Sequence, residues 1–309
     1  MSIICSNADT IWASLHSRRP THPRCPVCER PAIRRRSIVP NYALRACPDC
    51  GLEFLDPQPD DSVLNAIYGD SYFLGERRAE TAERRSKMKS ATGALYIDVL
   101  ARLVRPESAD LLEIGCGHGE MLLEARKRGF RVSGVEISAH AAALANRCLG
   151  MQAVLVGTIE TLPLAHGHFG AVVAADVIEH VRDPEDWLLR IHKLLLPGGF
   201  LLLITPSLDS WTRRLLRSRW IEYKVEHLYY FSVLSIRMLL ERCGFDEIRI
   251  SPNRKVLTID YLARHFDRFR VPMLSPLVSL LRRAVPSRIA HRHLLVPASG
   301  LMAIARKAG

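Results

Sequence analysis

Through the middle of the chain, short apolar runs alternate with stretches in which apolar residues recur every three or four positions. That alternation predicts a parallel α/β sheet. The spacing predicts strands at 109–114, 131–136, 152–156, 170–175 and 198–204, with helices at 119–129, 139–148 and 184–195 between them. Crossovers joining such parallel strands are right-handed. Upstream, 80–104 reads as a helix with Leu95, Val99 and Leu103 on one face, stopped by Pro106. A short helix and a loop are expected over 60–79, after the linker signal of Pro57 and Pro59. Downstream, the pattern predicts helices near 209–218 and at 233–243, a strand at 245–251, a helical stretch over 256–290 and a last strand at 301–306. Residues 1–20 read as a loose arm.

The chemistry is densest where the first strand of this alternation ends. The run Leu111-Leu-Glu113-Ile-Gly115-Cys116-Gly117-His-Gly119 takes an apolar strand into a glycine turn and then into a helix. Glycines at alternate positions permit a sharp turn and let a ligand lie against bare backbone. A dinucleotide fingerprint is G-x-G-x-x-G and aims a helix N-terminus at a pyrophosphate. Here the spacing is G-x-G-x-G, with the carboxylate of Glu113 two residues before the first glycine. The second strand ends in another acid, Glu136, placed to accept both ribose hydroxyls. Two acids and a glycine turn describe a site for a nucleoside that carries positive charge and no phosphate.

Four landmarks in this order resemble the class I S-adenosylmethionine-dependent methyltransferases. They are Glu113 to Gly119, Gly134-Val-Glu136-Ile137-Ser138, Asp176-Val177-Ile-Glu-His180-Val181, and Leu196-Pro-Gly-Gly199 before an apolar strand and Thr205-Pro206. The resemblance implies a doubly wound, Rossmann-like seven-stranded α/β sheet in the order 3-2-1-4-5-7-6, its final strand antiparallel. It implies S-adenosyl-L-methionine as cofactor, bound by Glu113, Gly115, Cys116, Gly117, Gly119, Glu136 and Ile137, with Asp176 and Val177 lining its groove. In the family the loop after the third strand packs along the adenine, often with Asp directly after a glycine. Here Thr158 follows Gly157, and Glu160 is the candidate that compensates. His180 is a candidate general base, or it braces the helix that follows. His227 is the second candidate. It lies in the aromatic run Trp220 to Ser232, within a lid expected over 206–232. It either takes the proton or docks Phe231 and the helix that Ser232 caps.

Four of the eight cysteines are patterned: Cys25-Pro-Val-Cys28 and Cys47-Pro-Asp-Cys50 form two C-x-x-C knuckles. Paired knuckles at this spacing read as a tetrahedral zinc site, and four thiolates leave no open position, so the zinc is structural. A hairpin fits between them over 33–46, in a segment too small to bury much core. The alternative, a disulfide pair, belongs to oxidising compartments. The run Cys47 to Pro57, with Tyr68-Gly-Asp-Ser-Tyr72-Phe73 after it, looks like the zinc-ribbon leader of some bacterial methyltransferases. The expected organisation is a zinc ribbon over 21–58 and a methyltransferase domain over 80–309, with the lid and a helical insert over 256–290.

Charge changes this picture little. The net charge of +11 is spread over patches such as Arg34–Arg36, Arg77-Arg78, Arg84-Arg85 and Arg282-Arg283, none interleaved with aromatics as a base-stacking platform would be. With no apolar run of about 20 residues and no signal-peptide core, the expected location is cytoplasmic. The expected activity is methyl transfer to a small-molecule acceptor (a sugar, a polysaccharide precursor or another metabolite), at oxygen. Two alternatives stay open: a zinc-ribbon RNA methyltransferase, in which the basic patches hold nucleic acid, and a non-enzymatic binding module. The run 271–289 mixes Leu and Val with arginines, which fits peripheral membrane contact or a cover over the core.

Overall fold

Along the chain, three short strands come first: β1 (Ile33–Arg35), β2 (Leu44–Ala46) and β3 (Glu53–Leu55). Helices α1 (Asp61–Ile67) and α2 (Ala79–Leu100) follow. The alternating segment is β4 (Asp110–Ile114), α3 (Glu120–Lys127), β5 (Arg131–Glu136), α4 (Ala139–Leu149), β6 (Val154–Val156), β7 (Phe169–Ala175), a one-turn 3-10 helix (Ile178–His180), α5 (Pro184–Leu194) and β8 (Leu195–Pro206). Beyond it lie α6 (Trp211–Leu216), β9 (Tyr229–Tyr230), α7 (Val233–Arg242), β10 (Phe245–Leu257), α8 (Ile259–Arg268), α9 (Ser287–Ala290) and β11 (Leu294–Lys307). This computed structural model describes residues 23–35, 38–67, 79–268 and 285–309, with positions 278, 280 and 282. The expected arm at 1–20, the Tyr68–Phe73 motif, the Arg77-Arg78 patch and most of 269–284 lie outside the described residues.

Seven strands form one sheet in the order β10-β11-β8-β7-β4-β5-β6. Counted from β4, this is the order 3-2-1-4-5-7-6 read from the other edge. β11 runs antiparallel to both β8 and β10, and every other pair is parallel. The central strands are apolar without alternation because helices cover both faces: Leu111, Leu112, Ala171–Ala174 and Leu201–Ile204 are all buried. The crossover helices start and stop on local chemistry. Ser138 Oγ accepts from Ala141 N–H at the start of α4, and Gly150 closes that helix in the left-handed region. Asp183 caps α5, with Pro184 in its first turn. Ser232 and Ser235 form a reciprocal cap on α7.

Two differences from the sequence expectation bear on the site. β10 runs to Leu257 and β11 begins at Leu294, so positions 256–257 are strand where a helix was expected. A register shift separates Pro252, paired with Leu301, from Arg254, paired with Pro297, and shifts of this kind bend a strand pair. Beyond the shift the pair is tied to α2. Val256 N–H donates to Thr92 Oγ1 at 2.9 Å, and the Tyr96 hydroxyl donates to Asn253 Oδ1 at 2.7 Å.

The second difference concerns the cysteine-bearing segment. Its expected hairpin is present as β1 and β2, and β3 extends it. The fourth strand of that small sheet is β9, from the stretch read as a lid: Glu53 pairs with Tyr230 and Phe54 with Tyr229. Trp220, Tyr230 and Phe231 are core residues; the rings of Trp220 and Tyr230 pack on each other and on Tyr223, and Phe231 stacks on Tyr229. Among the described residues, no helix is long and apolar enough to cross a membrane.

Candidate active site

A cavity of about 330 Å³ opens at the carboxyl edge of the large sheet. Its floor is the end of β4 and the turn after it: Glu113, Gly115, Cys116 and Gly117. Gly115, Gly117 and Gly119 all have positive φ (72°, 55° and 81°), which glycine adopts without the cost a side chain would incur. Gly115 N–H donates to Val135 O at 2.8 Å, which pins the turn to β5. The Glu136 carboxylate holds it from the other side. One oxygen accepts from Gly117 N–H and the other from Ser138 N–H, each at 2.9 Å. The acid read as a ribose acceptor thus already orders the turn, and each oxygen keeps a second lone pair. Ile137, beside it, is 61% exposed, and Val156 at the end of β6 is 51% exposed, an unusual display of apolar side chains on the ligand edge of such a sheet.

Glu113 is buried and its Oε2 has no hydrogen-bond partner. Burial, with Glu120 nearby, pushes its carboxyl well above the ordinary range. Asp176, at the end of β7, lines the cavity from the opposite side with φ of 56°, a left-handed conformation uncommon outside glycine. Its carboxylate pairs with Lys255 Nζ at 2.8 Å. Burial raises the Asp176 carboxyl, but Lys255 and the other cations near it outweigh that and hold it below its usual range. The wall is α2, through Arg85, Met88, Lys89, Thr92 and Tyr96.

Next to Asp176 a second group gathers. Glu179, His180 and His227 each bring one side-chain donor atom within 4.8 Å of the others. Two backbone contacts join their segments: Leu228 N–H donates to Glu179 O at 2.8 Å, and His180 Nδ1 lies 2.9 Å from Glu226 O. The two imidazoles meet edge to face at 4.8 Å. Burial pushes Glu179 up to about 8, pulls His180 down to about 4 and drives His227 well below the imidazole range.

Of the residues read from the sequence, Glu113, Gly115, Cys116, Gly117 and Asp176 line the cavity. Glu136 and Val177 stand directly behind it: a Cβ on Gly115 would come within 2.7 Å of Val177 Cγ2. Gly119 lies against Ala145, where a Cβ would meet that side chain at 3.0 Å. Glu160 is exposed on the turn after β6, outside the cavity lining and facing Arg190. His180 and His227, 47 positions apart in the chain, are neighbours. Sequence reasoning missed Arg85, Lys89 and Tyr96 on α2, and Lys255. It also read Glu179 only as part of a motif. The basic run of α2 carried a signal for the first two; for Lys255 there was none, because only the β10–β11 pairing brings it to the sheet edge.

The sheet order, the glycine turn between two acids and the cavity above them define a class I methyltransferase. A family model described as a methyltransferase domain matches residues 85–249, more than half of the 309 residues, and the chain belongs to that family, the S-adenosylmethionine-dependent methyltransferases. Among curated relatives, a malonyl-[acyl-carrier protein] O-methyltransferase of Enterobacter lignolyticus is 30% identical over 122 residues, 40% of this chain and 48% of that protein. A ubiquinone biosynthesis O-methyltransferase of a Caulobacter strain is 36% identical over 105 residues, 32% of this chain and 41% of that protein. The chain therefore spans a little under half the length of these relatives. A chain from the complex of the Haloferax volcanii Trm112 methyltransferase activator with a methyltransferase superposes with a TM-score of 0.52 at 16% identity, over 79% of this chain and 97% of that one, a likeness of fold.

Proposed function

We propose that this protein transfers the methyl group of S-adenosylmethionine to a hydroxyl oxygen of a small-molecule acceptor. The observation that carries the reading is the buried, unpartnered Glu113 carboxyl beneath a bare-backbone turn, a pairing of features that suits a cationic nucleoside. Glu136 is the ribose acceptor in this reading, and Ile137 and Val156 offer the adenine an apolar face. The methionine tail is both cation and anion; Glu113 and the pair Arg85 and Lys89 match it in sign. The donor is already activated, so these side chains supply alignment and a dry site. Both curated relatives named above are O-methyltransferases, which favours oxygen. His180 and His227, held uncharged by burial, are the bases this reading assigns to the acceptor proton.

Isotope-labelled donor incubated with the full chain and fractionated metabolites tests the proposal. Label is expected in a small molecule released as a methyl ether on analysis. Label recovered only in RNA or protein, or in no fraction from a protein that binds the donor, would contradict it.

Glu113 also makes a prediction about pH. Without ligand, burial holds its pKa above the ordinary carboxyl range, so it keeps its proton to higher pH than a free glutamate does. A cation beside it favours the carboxylate, so binding releases a proton. Affinity for S-adenosylmethionine should therefore rise with pH until the pKa of the unliganded carboxyl is passed, and then level off. Calorimetry in two buffers of different ionisation heat, run across a pH series, should give different binding enthalpies for the wild type at the pH values where affinity rises. Glu113→Gln should give equal ones.

We further propose that Cys25, Cys28, Cys47 and Cys50 hold a structural zinc ion. Their Sγ atoms cluster within 4.8 Å, with Cys25 to Cys50 at 3.5 Å and Cys28 to Cys47 at 3.3 Å. A tetrahedron of 2.3 Å zinc–sulfur bonds has sulfur separations of about 3.8 Å. Three of the four side chains are buried, and the turns of both knuckles are backbone-bonded, Glu29 N–H to Cys25 O and Gly51 N–H to Cys47 O. The purified chain is expected to carry one equivalent of zinc that a thiol reagent releases.

A further inference from the structure

We infer that Glu179, His180 and His227 form a second metal site, one that takes a single divalent ion of the Mn²⁺, Fe²⁺ or Zn²⁺ class beside Asp176, behind the cavity wall. The inference rests on which atoms the fold leaves facing each other. Glu179 is 1% exposed, and its Oε2 accepts from the Thr205 hydroxyl at 3.0 Å. Its Oε1 is buried and has no partner. His227 is 4% exposed, and its Nδ1 is buried without a partner. A carboxyl oxygen and an imidazole nitrogen of one three-residue cluster are thus both buried without a hydrogen-bond partner. Each such orphan costs about 1–3 kcal/mol, and native proteins leave few of them. A cation satisfies both at once.

The histidine next to them completes a set that metals use. His180 places Nδ1 on a backbone carbonyl, that of Glu226, at 2.9 Å. Ligating histidines are oriented in this way, one ring nitrogen on a carbonyl and the other on the ion. One donor atom from each of the three residues lies within 4.8 Å of the others, a spread that small rotamer shifts close onto one ion. Two imidazoles and one carboxylate select a first-row divalent ion and leave coordination positions open. The three ligands come from two segments that backbone bonds lock together, so the site is preformed. Asp176, three residues before Glu179, lines the cavity, and its carboxylate acts on both Glu179 and His180.

This location gives the ion a task, and here the inference rests on the oxygen-methylation reading above. A divalent ion binds a hydroxyl oxygen and eases loss of its proton. With open positions in reach, the acceptor that fits is one bearing a second oxygen on the adjacent carbon, a vicinal diol or catechol-like pair. The hydroxyl proton leaves to solvent or a neighbouring base, and the oxygen takes the methyl group. The carbon–sulfur bonding pair returns to sulfur, which leaves as the neutral thioether.

Mn²⁺ tests the site apart from the cysteine cluster, because thiolates favour softer ions. The full chain, with zinc in its ribbon, is titrated with Mn²⁺ and followed by electron paramagnetic resonance. One saturable equivalent is expected, weakened at least about tenfold in Glu179→Gln and in His227→Gln. Melting temperature and S-adenosylmethionine affinity of the variants, measured alongside, report on folding. A wild type that binds no Mn²⁺ or Co²⁺ beyond the ribbon overturns the inference, and that measurement needs no variant. A Glu179→Gln chain that is folded and binds Mn²⁺ as tightly as the wild type also overturns it. If Mn²⁺ binds as expected but no hydroxyl is methylated, the metal site stands and the oxygen-methylation reading falls.

Discussion

Alanine at Gly115 is expected to weaken S-adenosylmethionine binding by at least about tenfold, a loss of about 1.4 kcal/mol, and methyl transfer by more. Two independent effects act at this position. At φ of 72° a side chain costs about 1–2 kcal/mol. The new Cβ would also stand 2.7 Å from Val177 Cγ2, a distance that real contacts do not tolerate. The turn must then shift, and the shift runs through Gly117, whose N–H is bound to Glu136. Both acids of the proposed cofactor site thus lose their mutual placement through one methyl group. Gly117→Ala is the informative comparison: it shares the positive φ but has open space where the Cβ would go. It is expected to show the smaller defect in protein stability. Calorimetric affinities and melting temperatures of the two variants check the argument, and a Gly115→Ala chain with unchanged affinity would refute it.

Removal of the zinc proposed at the cysteine cluster is expected to depress methyl transfer by about a hundredfold or more, while sparing donor affinity. The split follows from what the ribbon touches. β3 pairs with β9, Leu55 N–H donates to Leu228 O at 2.9 Å, and Ser232 Oγ donates to Cys50 O at 2.6 Å. The Tyr223 hydroxyl reaches Glu53 Oε2 at 2.6 Å from the same stretch. These contacts bracket His227. A structural zinc contributes on the order of 10 kcal/mol to the folding of a small metal module. Its loss would free β3 and, with it, the segment that places His227 beside Glu179 and His180. The proposed donor site is built on β4 and β5 and makes none of these contacts. Cys47→Ser, or chelation with a thiol reagent, should therefore depress kcat far more than it alters the Kd for S-adenosylmethionine. Equal activity with and without the metal would show that the ribbon does not support the segment that carries His227.

The parts of the fold legible in the sequence were those whose signal is local. A glycine turn after an apolar strand is written in nine consecutive residues, and paired C-x-x-C knuckles in two short words. The serine and aspartate caps of α4, α5 and α7 lie next to the helices they start. What escaped the reading is held by pairing across long stretches of chain. The polar run Ser251-Pro-Asn-Arg-Lys255 shows no alternation, and it becomes strand because β11 lies beside it. Lys255 then meets Asp176 across 79 positions, a partnership no spacing encodes. β9 is two residues long and is a strand only because β3 supplies the hydrogen bonds. The unpartnered buried atoms of Glu179 and His227 are likewise a property of the folded chain, although both residue types were visible. Glu160, the candidate to compensate for the acid that Thr158 replaces, is exposed on the turn after β6.

Titration of the full chain with S-adenosylmethionine, in the wild type and in Glu136→Ala, addresses the core of this account most directly. The Glu136 carboxylate orders the turn through Gly117 and Ser138 and is the ribose acceptor of the proposed site. One binding site is expected in the wild type, with affinity at least about tenfold lower in the variant. A wild-type chain that gives no saturable binding, or a folded variant that binds as tightly as the wild type, would contradict it.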